Sequence, residues 1–181
     1  MTDEHGVTNI VIAGLGGQGI VTGSDILAEA AFSAGHDVKK SEIHGMSQRG
    51  GSVSSDIRFG PRVHSPMVPH AEADFLIISE SSQVLPNRHR LAPHGRLITP
   101  DAVPQLFQDE ASQHAARMVN VALLGVLSAH LDIDETHWID AIRGQLPDKL
   151  HEMNLRVFRQ ARGIEALFGT LTSHSRPRPT L

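Results

Sequence analysis

Cysteine is absent from the 181-residue chain. That absence excludes disulfides, thiol nucleophiles, Cys-ligated zinc and ordinary iron–sulfur clusters, all of which need sulfur ligands. If the protein serves electron transfer, the metal centres belong to another polypeptide. Positive charge is also scarce: 16 Lys and Arg stand against 20 Asp and Glu, a net charge of −4. Nucleic-acid binding rewards the opposite balance, so no nucleic-acid partner is expected. Long apolar runs are missing too. Met118 to Leu131 is the longest, is broken by Asn120 and Ser128, and falls short of the roughly 20 residues of a membrane span. The opening MTDEHGVTN is polar and acidic, unlike the basic start and apolar run of a secretory signal. The expectation is a cytoplasmic protein with no membrane partner.

What is present suits one well-packed α/β domain. Asn9 to Ala13 is short, β-branched and bounded by glycine, which predicts a buried parallel strand. The turn GLGGQG (Gly14 to Gly19) follows at once. Ile20 to Ala34 then has helical spacing, with Gly35 where a C-terminal cap belongs. His36 to Glu42 supplies a second strand, and the glycine-rich loop HGMSQRGG (His44 to Gly51) comes next. Ser52 to Phe59 alternates, with Val53, Ile57 and Phe59 on one face and Ser52, Ser54, Asp56 and Arg58 on the other. That period of two predicts a strand with one wet or functional face. Phe75 to Ile78 reads as a buried strand, and Leu97 to Thr99 as a short one after a turn at Pro93-His94-Gly95.

The last third reads as helical. Met118 to Leu131 is apolar nearly all round, so it is buried on both sides or lies in a subunit contact; we expect the contact, with a large partner or a second copy. The expected architecture is a three-layer α/β/α, Rossmann-like domain over residues 9–169, with a mostly parallel sheet. Residues 1–8 form a polar extension. Residues 170–181 have too little apolar content to pack and read as a disordered tail.

Two constellations could carry chemistry. Gly14, Gly16 and Gly19 match G-x-G-x-x-G, with Gly17 and Gln18 between. Such glycines let the backbone turn sharply, and the helix start that follows offers N–H groups to an anion. A tight turn with no ligand would use the same residues. A dinucleotide site also wants an acid about 20 positions on; here Lys39 and Lys40 stand near that place and Glu42 comes late. The second constellation runs from Ser41 to Ser52. Arg49 is suited to grip a phosphate or carboxylate bidentately, and Glu42 and His44 to pair. A surface loop whose polar groups cap neighbouring elements is the alternative. The candidate catalytic residues are Glu42, His44 and Arg49. The candidate cofactor-binding residues are Gly14, Gly16, Gly17, Gln18, Gly19, Ser41, Gln48, Arg49, Gly50, Gly51 and Ser52.

Other features point to structure. The 12 histidines form neither His-x-x-x-His nor His-Glu-x-x-His, so no metal site is expected. Arg88, Arg90 and Arg96 read as a solvated face. Asn120 and Asn154 interrupt apolar helix faces and call for structural hydrogen bonds.

Taken together, the stretch from Gly14 to Gly60, above all EIHGMSQRGGSV, resembles the gamma-type subunits of the 2-oxoacid:ferredoxin oxidoreductase family. Within it, the small subunits of indolepyruvate-type enzymes are the nearest likeness. SPMVPHAEADFLIISE, NVALLGVLSAHLDI and NLRVFRQARG fit the same pattern, so the resemblance runs from Asn9 to Gly163. The stretch between Leu97 and Asn120 is shorter than the family pattern, as though a strand or helix were missing. The resemblance implies oxidative decarboxylation of a 2-oxoacid, such as indolepyruvate or another aryl pyruvate, to an acyl-CoA. It places thiamine diphosphate and [4Fe–4S] clusters on a large partner subunit, with coenzyme A as co-substrate and ferredoxin as electron acceptor. This chain alone would then be colourless and inactive. A free-standing dinucleotide-binding oxidoreductase and a purely stabilising subunit are the alternatives.

Overall fold

The computed structural model describes residues 6–45, 50–106 and 113–173. Its centre is strand β1 (Thr8–Leu15), whose Ile10, Val11, Ile12 and Ala13 are completely or almost completely buried. Alternation sends Ile10 and Ile12 to one face and Val11 and Ala13 to the other, and each pair joins a different apolar cluster. A strand buried on both faces has to be interior. β1 accordingly lies third in the order β2-β3-β1-β4-β5, with β2 Asp37–His44, β3 Ser52–Gly60, β4 Ala73–Ile78 and β5 Leu91–Ile98.

Helices flank the sheet unequally. Helices α1 (Ile20–Ser33), α3 (Gln113–Ser128), α4 (Glu135–Gln145) and α5 (His151–Ser173) share one large core with the first face. Trp138 and Phe158 anchor that core, with ring centroids 5.7 Å apart. Among the described residues, the opposite face is covered by the four-residue helix α2 (Val84–Asn87), by Val68 and by flanking turns. Four strands run in one direction, because β1 is parallel to β4 and β4 to β5, while β3 is antiparallel to both β1 and β2. The reversal follows from chain connection: β2 and β3 form a hairpin, and its second arm inserts between β1 and β2.

Four sequence expectations change. Beyond the exposed Ser52, the polar face of β3 is dry. Asp56 is fully buried, accepting from Val68 N–H (3.0 Å) and from the Arg90 guanidinium at 2.7 and 2.6 Å. Arg58 is also buried and donates to Asn9 Oδ1 and Ser65 C=O. The segment after β3 folds back over this face, so the period of two marks a buried polar layer rather than a wet one. Arg90 is correspondingly part of that layer and not of a solvated face.

The supposed turn at Pro93-His94-Gly95 lies inside β5. Ala73 pairs with Leu91 and Phe75 with Arg96, so Ala92 to Gly95 bulge out opposite Asp74. Proline has no N–H for the ladder, and a bulge accommodates it. Helix α3 is buried within its own domain: from Asn120 to Ser128 every residue is buried, with α5 packed against it. Its apolar circumference needs no second subunit. Finally, α5 continues to Ser173, into the expected tail, while residues 174–181 lie outside the described residues.

Candidate functional site

β1 ends in the glycine turn, and the turn is tightly knit. Gln18 folds back so that its Oε1 accepts from Leu15 N–H at 2.8 Å and from Ser79 Oγ–H at 3.2 Å. Its own N–H reaches Leu15 C=O at 3.2 Å, and its carbonyl accepts from the Asn120 side-chain amide of α3. Gly14 is dictated by this crowding, since a Cβ there would come within 2.2 Å of Ser79 Oγ. Gly19 is the residue before α1 and has φ 76°, a left-handed conformation that glycine adopts without strain. Among the described residues no side chain caps α1. The N–H groups ahead of Gly23 therefore have no helical or capping partner among those residues, and the positive end of the helix dipole lies at the turn.

The hairpin of β2 and β3 delivers the second glycine-rich stretch to the same place. Gly16 N–H donates to Gly51 C=O at 2.8 Å, Gly45 N–H donates to Ser52 C=O at 2.7 Å, and Ser52 Oγ–H reaches Gln83 Oε1 at 2.8 Å. Between hairpin and turn lies a cavity of about 410 Å³, bordered by Gly16, Gly17, Gly19 and His44. The structure thus gathers Gly14, Gly16, Gly17, Gln18, Gly19, Gly50, Gly51, Ser52 and His44. Gln48 and Arg49 lie outside the described residues.

Glu42 and Ser41 part company. Glu42 shares the α1-facing side of β2 with Lys40 and His44, where Lys40 Nζ donates to Glu42 at 2.7 Å and also reaches Asp25 of α1. His44 Nε2 is 3.4 Å from Glu42. Burial works against the charged form of Lys40, but its hydrogen bonds to Asp25 and Glu42 outweigh that and raise its pKa. The Lys40 hydrogen bond, against slight desolvation, holds the Glu42 carboxyl below its ordinary value. Ser41 points the other way, directly opposite Asp56, and is not brought to the glycine turn.

Sequence reasoning missed Ser79, Glu80 and Gln83. Glu80 stands 3.5 Å from Gln18 Nε2. Their signal was positional: they follow the carboxyl end of β4, the strand beside β1, where open α/β sheets place ligands. Asn120 and Asn154 do make structural hydrogen bonds, to Gln18 C=O and to Leu150 C=O. Among the described residues no group of three or more His, Asp or Glu side chains converges as a metal site, and no helix is long and apolar enough to cross a membrane.

Comparison with known proteins bears on the family and the fold. The pyruvate ferredoxin/flavodoxin oxidoreductase family matches residues 9–164. An indolepyruvate oxidoreductase subunit IorB from Methanothermobacter thermautotrophicus is 33 % identical, over 87 % of this chain and 97 % of its own length. A ketoisovalerate oxidoreductase subunit VorA of the same organism is 29 % identical, and the match covers 35 % of it. Among solved structures, a keto/oxoacid ferredoxin oxidoreductase gamma subunit from Geobacter sulfurreducens superposes with TM-score 0.70 at 20 % identity, covering 90 % of this chain and 98 % of that one. A 2-oxoglutarate:ferredoxin oxidoreductase from Magnetococcus marinus, with 2-oxoglutarate, coenzyme A and succinyl-CoA bound, gives 0.74 at 18 %. It covers 91 % of this chain, which corresponds to 32 % of that one.

Proposed function

The chain belongs to the pyruvate ferredoxin/flavodoxin oxidoreductase family, and from that premise we propose that it is the small subunit of an oxidoreductase that decarboxylates a 2-oxoacid, indolepyruvate or another aryl pyruvate, to its acyl-CoA. The observation that carries this reading is the convergence of the two glycine-rich stretches around the uncapped start of α1. Backbone N–H groups held in a fixed turn favour an anion without reorganising. On this reading they meet an anionic group of coenzyme A or the oxoacid, at a surface turned towards a large partner subunit. Thiamine diphosphate and the [4Fe–4S] clusters reside on that partner, since this chain has no cysteine to ligate iron. Ferredoxin is reached through the complex, which works in the cytoplasm. The chain itself binds, orients and excludes water, and Glu42 fixes His44 at the mouth of the cavity.

Arg49 tests the proposal. A bidentate contact from its guanidinium to carboxylate or phosphate is worth about 1.5–3 kcal/mol. In the assembled enzyme, Arg49→Ala should lower turnover, or raise the KM for coenzyme A or oxoacid, about 10- to 100-fold. Arg49→Lys should recover only part, because an ammonium lacks the planar fork. Wild-type kinetics in both variants, or a loss of thermal stability alone, would refute the reading.

A further inference from the structure

The two edges of the sheet differ in kind. β5 is broken by the bulge at Ala92 to Gly95, and Pro93 has no N–H to offer, so its outer side is a poor template for another strand. β2 has no proline and pairs with β3 without a break over Asp37–His44. Among the described residues no strand lies on its outer side. One bond fixes which backbone groups face inward: Gly45 N–H donates to Ser52 C=O, and ladder bonds recur at every second residue. Asp37, Lys39, Ser41 and Ile43 therefore direct their backbone groups at β3, and Val38, Lys40, Glu42 and His44 turn theirs outward. The lysines do not guard this edge as lone charges would. Lys39 is paired with Asp37 at 3.1 Å, and Lys40 with Glu42 at 2.7 Å. Two exposed apolar side chains flank the edge, Ile43 on one face and Phe32 on the other. Phe32 stands two helical turns along α1 from Asp25, the residue that meets Lys40.

A strand added here must match the pattern of β2, and β2 itself, run in the opposite direction, does so. We propose that two copies of this chain pair through β2, antiparallel across a two-fold axis, into one continuous sheet. An axis perpendicular to the sheet keeps each face on its own side, so only residues of like parity stand opposite one another. With the axis at Ser41, Lys40 faces Glu42 of the second copy, and Glu42 faces its Lys40. Val38 then faces His44, and the methylene stem of Lys39 covers the exposed Ile43. The outward N–H and C=O groups of Val38, Lys40, Glu42 and His44 meet their counterparts in the same register. The neighbouring registers fail. An axis at Lys40 sets lysine against lysine, and one at Glu42 sets glutamate against glutamate.

The test is sedimentation equilibrium of the full chain, with a dissociation constant of about 1–100 µM expected for an edge contact of modest area. Lys40→Glu and Glu42→Lys, each alone, should weaken association about tenfold. Mixed in equal amounts they should associate again, since each offers the charge that the other lacks. Damage within one chain cannot be undone by mixing. The absence of cysteine lets the register be read directly. Ser41→Cys sets two thiols on the axis, with Cα atoms about 4.5 Å apart in this class of pair and within disulfide range. Ile43→Cys, at a more exposed position, leaves its thiols about 13 Å apart. Oxidation should link the first variant into dimers on a denaturing gel and leave the second largely monomeric. A monomeric wild type over this concentration range overturns the proposal. So does association untouched by both charge reversals, failure of mixing to restore it, or equal cross-linking of the two thiol variants. None of these readouts measures activity, so the dimer and the proposed function stand or fall separately.

Discussion

Strands β2 and β3 lie side by side in full register and carry similar numbers of charged and hydroxyl side chains, yet they use them in opposite ways. On β3, Asp56 and Arg58 are buried and each is bound to groups brought from far along the chain. On β2, Lys40, Glu42 and His44 remain partly exposed and bind mainly one another and α1. Position in the sheet makes the difference. β3 is interior and the returning chain covers its polar face, whereas β2 is an edge whose charged face slopes towards the glycine turn. Buried charge fixes one arrangement and punishes any loss, while exposed charge is cheap to alter and free to serve a ligand.

The largest expected effect comes from Asp56→Ala. It leaves Arg90 and the Val68 N–H facing a dry interior, and should cost about 3–5 kcal/mol in urea-induced unfolding. A loss below about 1 kcal/mol would show that water enters this layer and would erase the contrast. Lys40→Met should destabilise by no more than about 1 kcal/mol, because the network is partly screened by solvent. In the assembled enzyme the same variant should still reduce turnover, since Glu42 loses the ammonium that orders it. A stability loss as large as that of Asp56→Ala would move β2 into the structural class.

The smallest effect concerns pH. Glu42 has a folded pKa below its ordinary value, so its contribution to stability is fully present above about pH 4.5. That contribution fades as pH falls through the lower, folded value, where folded and unfolded carboxyls are both protonated. Melting temperatures of wild type and Glu42→Gln should therefore differ slightly near neutrality and converge towards pH 3. A difference that persists at pH 3 would assign the effect to shape rather than charge.

Much of this was legible in the chain. The run Asn9 to Ala13, the glycines after it and the apolar spacing of Ile20 to Ala34 announce strand, turn and helix because each depends on neighbours in sequence. The meeting of Gly14–Gly19 with Gly50–Ser52 was not legible, because the bond from Gly16 N–H to Gly51 C=O joins stretches far apart in the chain. Pairings across distance were not legible. Nothing local tells Asp56 that Arg90 and the Val68 N–H will seal it from water, or tells Arg90 that it leaves the solvated face. Alternation in β3 correctly separated two faces but could not say what would cover them. The circumference of α3 posed the same problem, since a helix apolar on every side fits an interface and a central core equally well. Only the packing of α5 decides between them.

Placing β1 between β3 and β4 also bears on how the chain folds. The central strand is synthesised before either of its neighbours, and its second edge stays unpaired until residues 73–78 emerge. Until then Ile10 to Ala13 presents at least one open, uncharged β edge, the kind of segment that pairs with other chains. Contacts this distant in sequence close slowly. The glycine turn cannot acquire its bond to Gly51 before the hairpin returns, so the anion-binding surface is among the late structures to form. A nascent chain therefore passes through a period in which it is already sticky and not yet able to bind its ligand, and shielding during synthesis, by a chaperone or by a partner subunit made alongside, has its greatest value then.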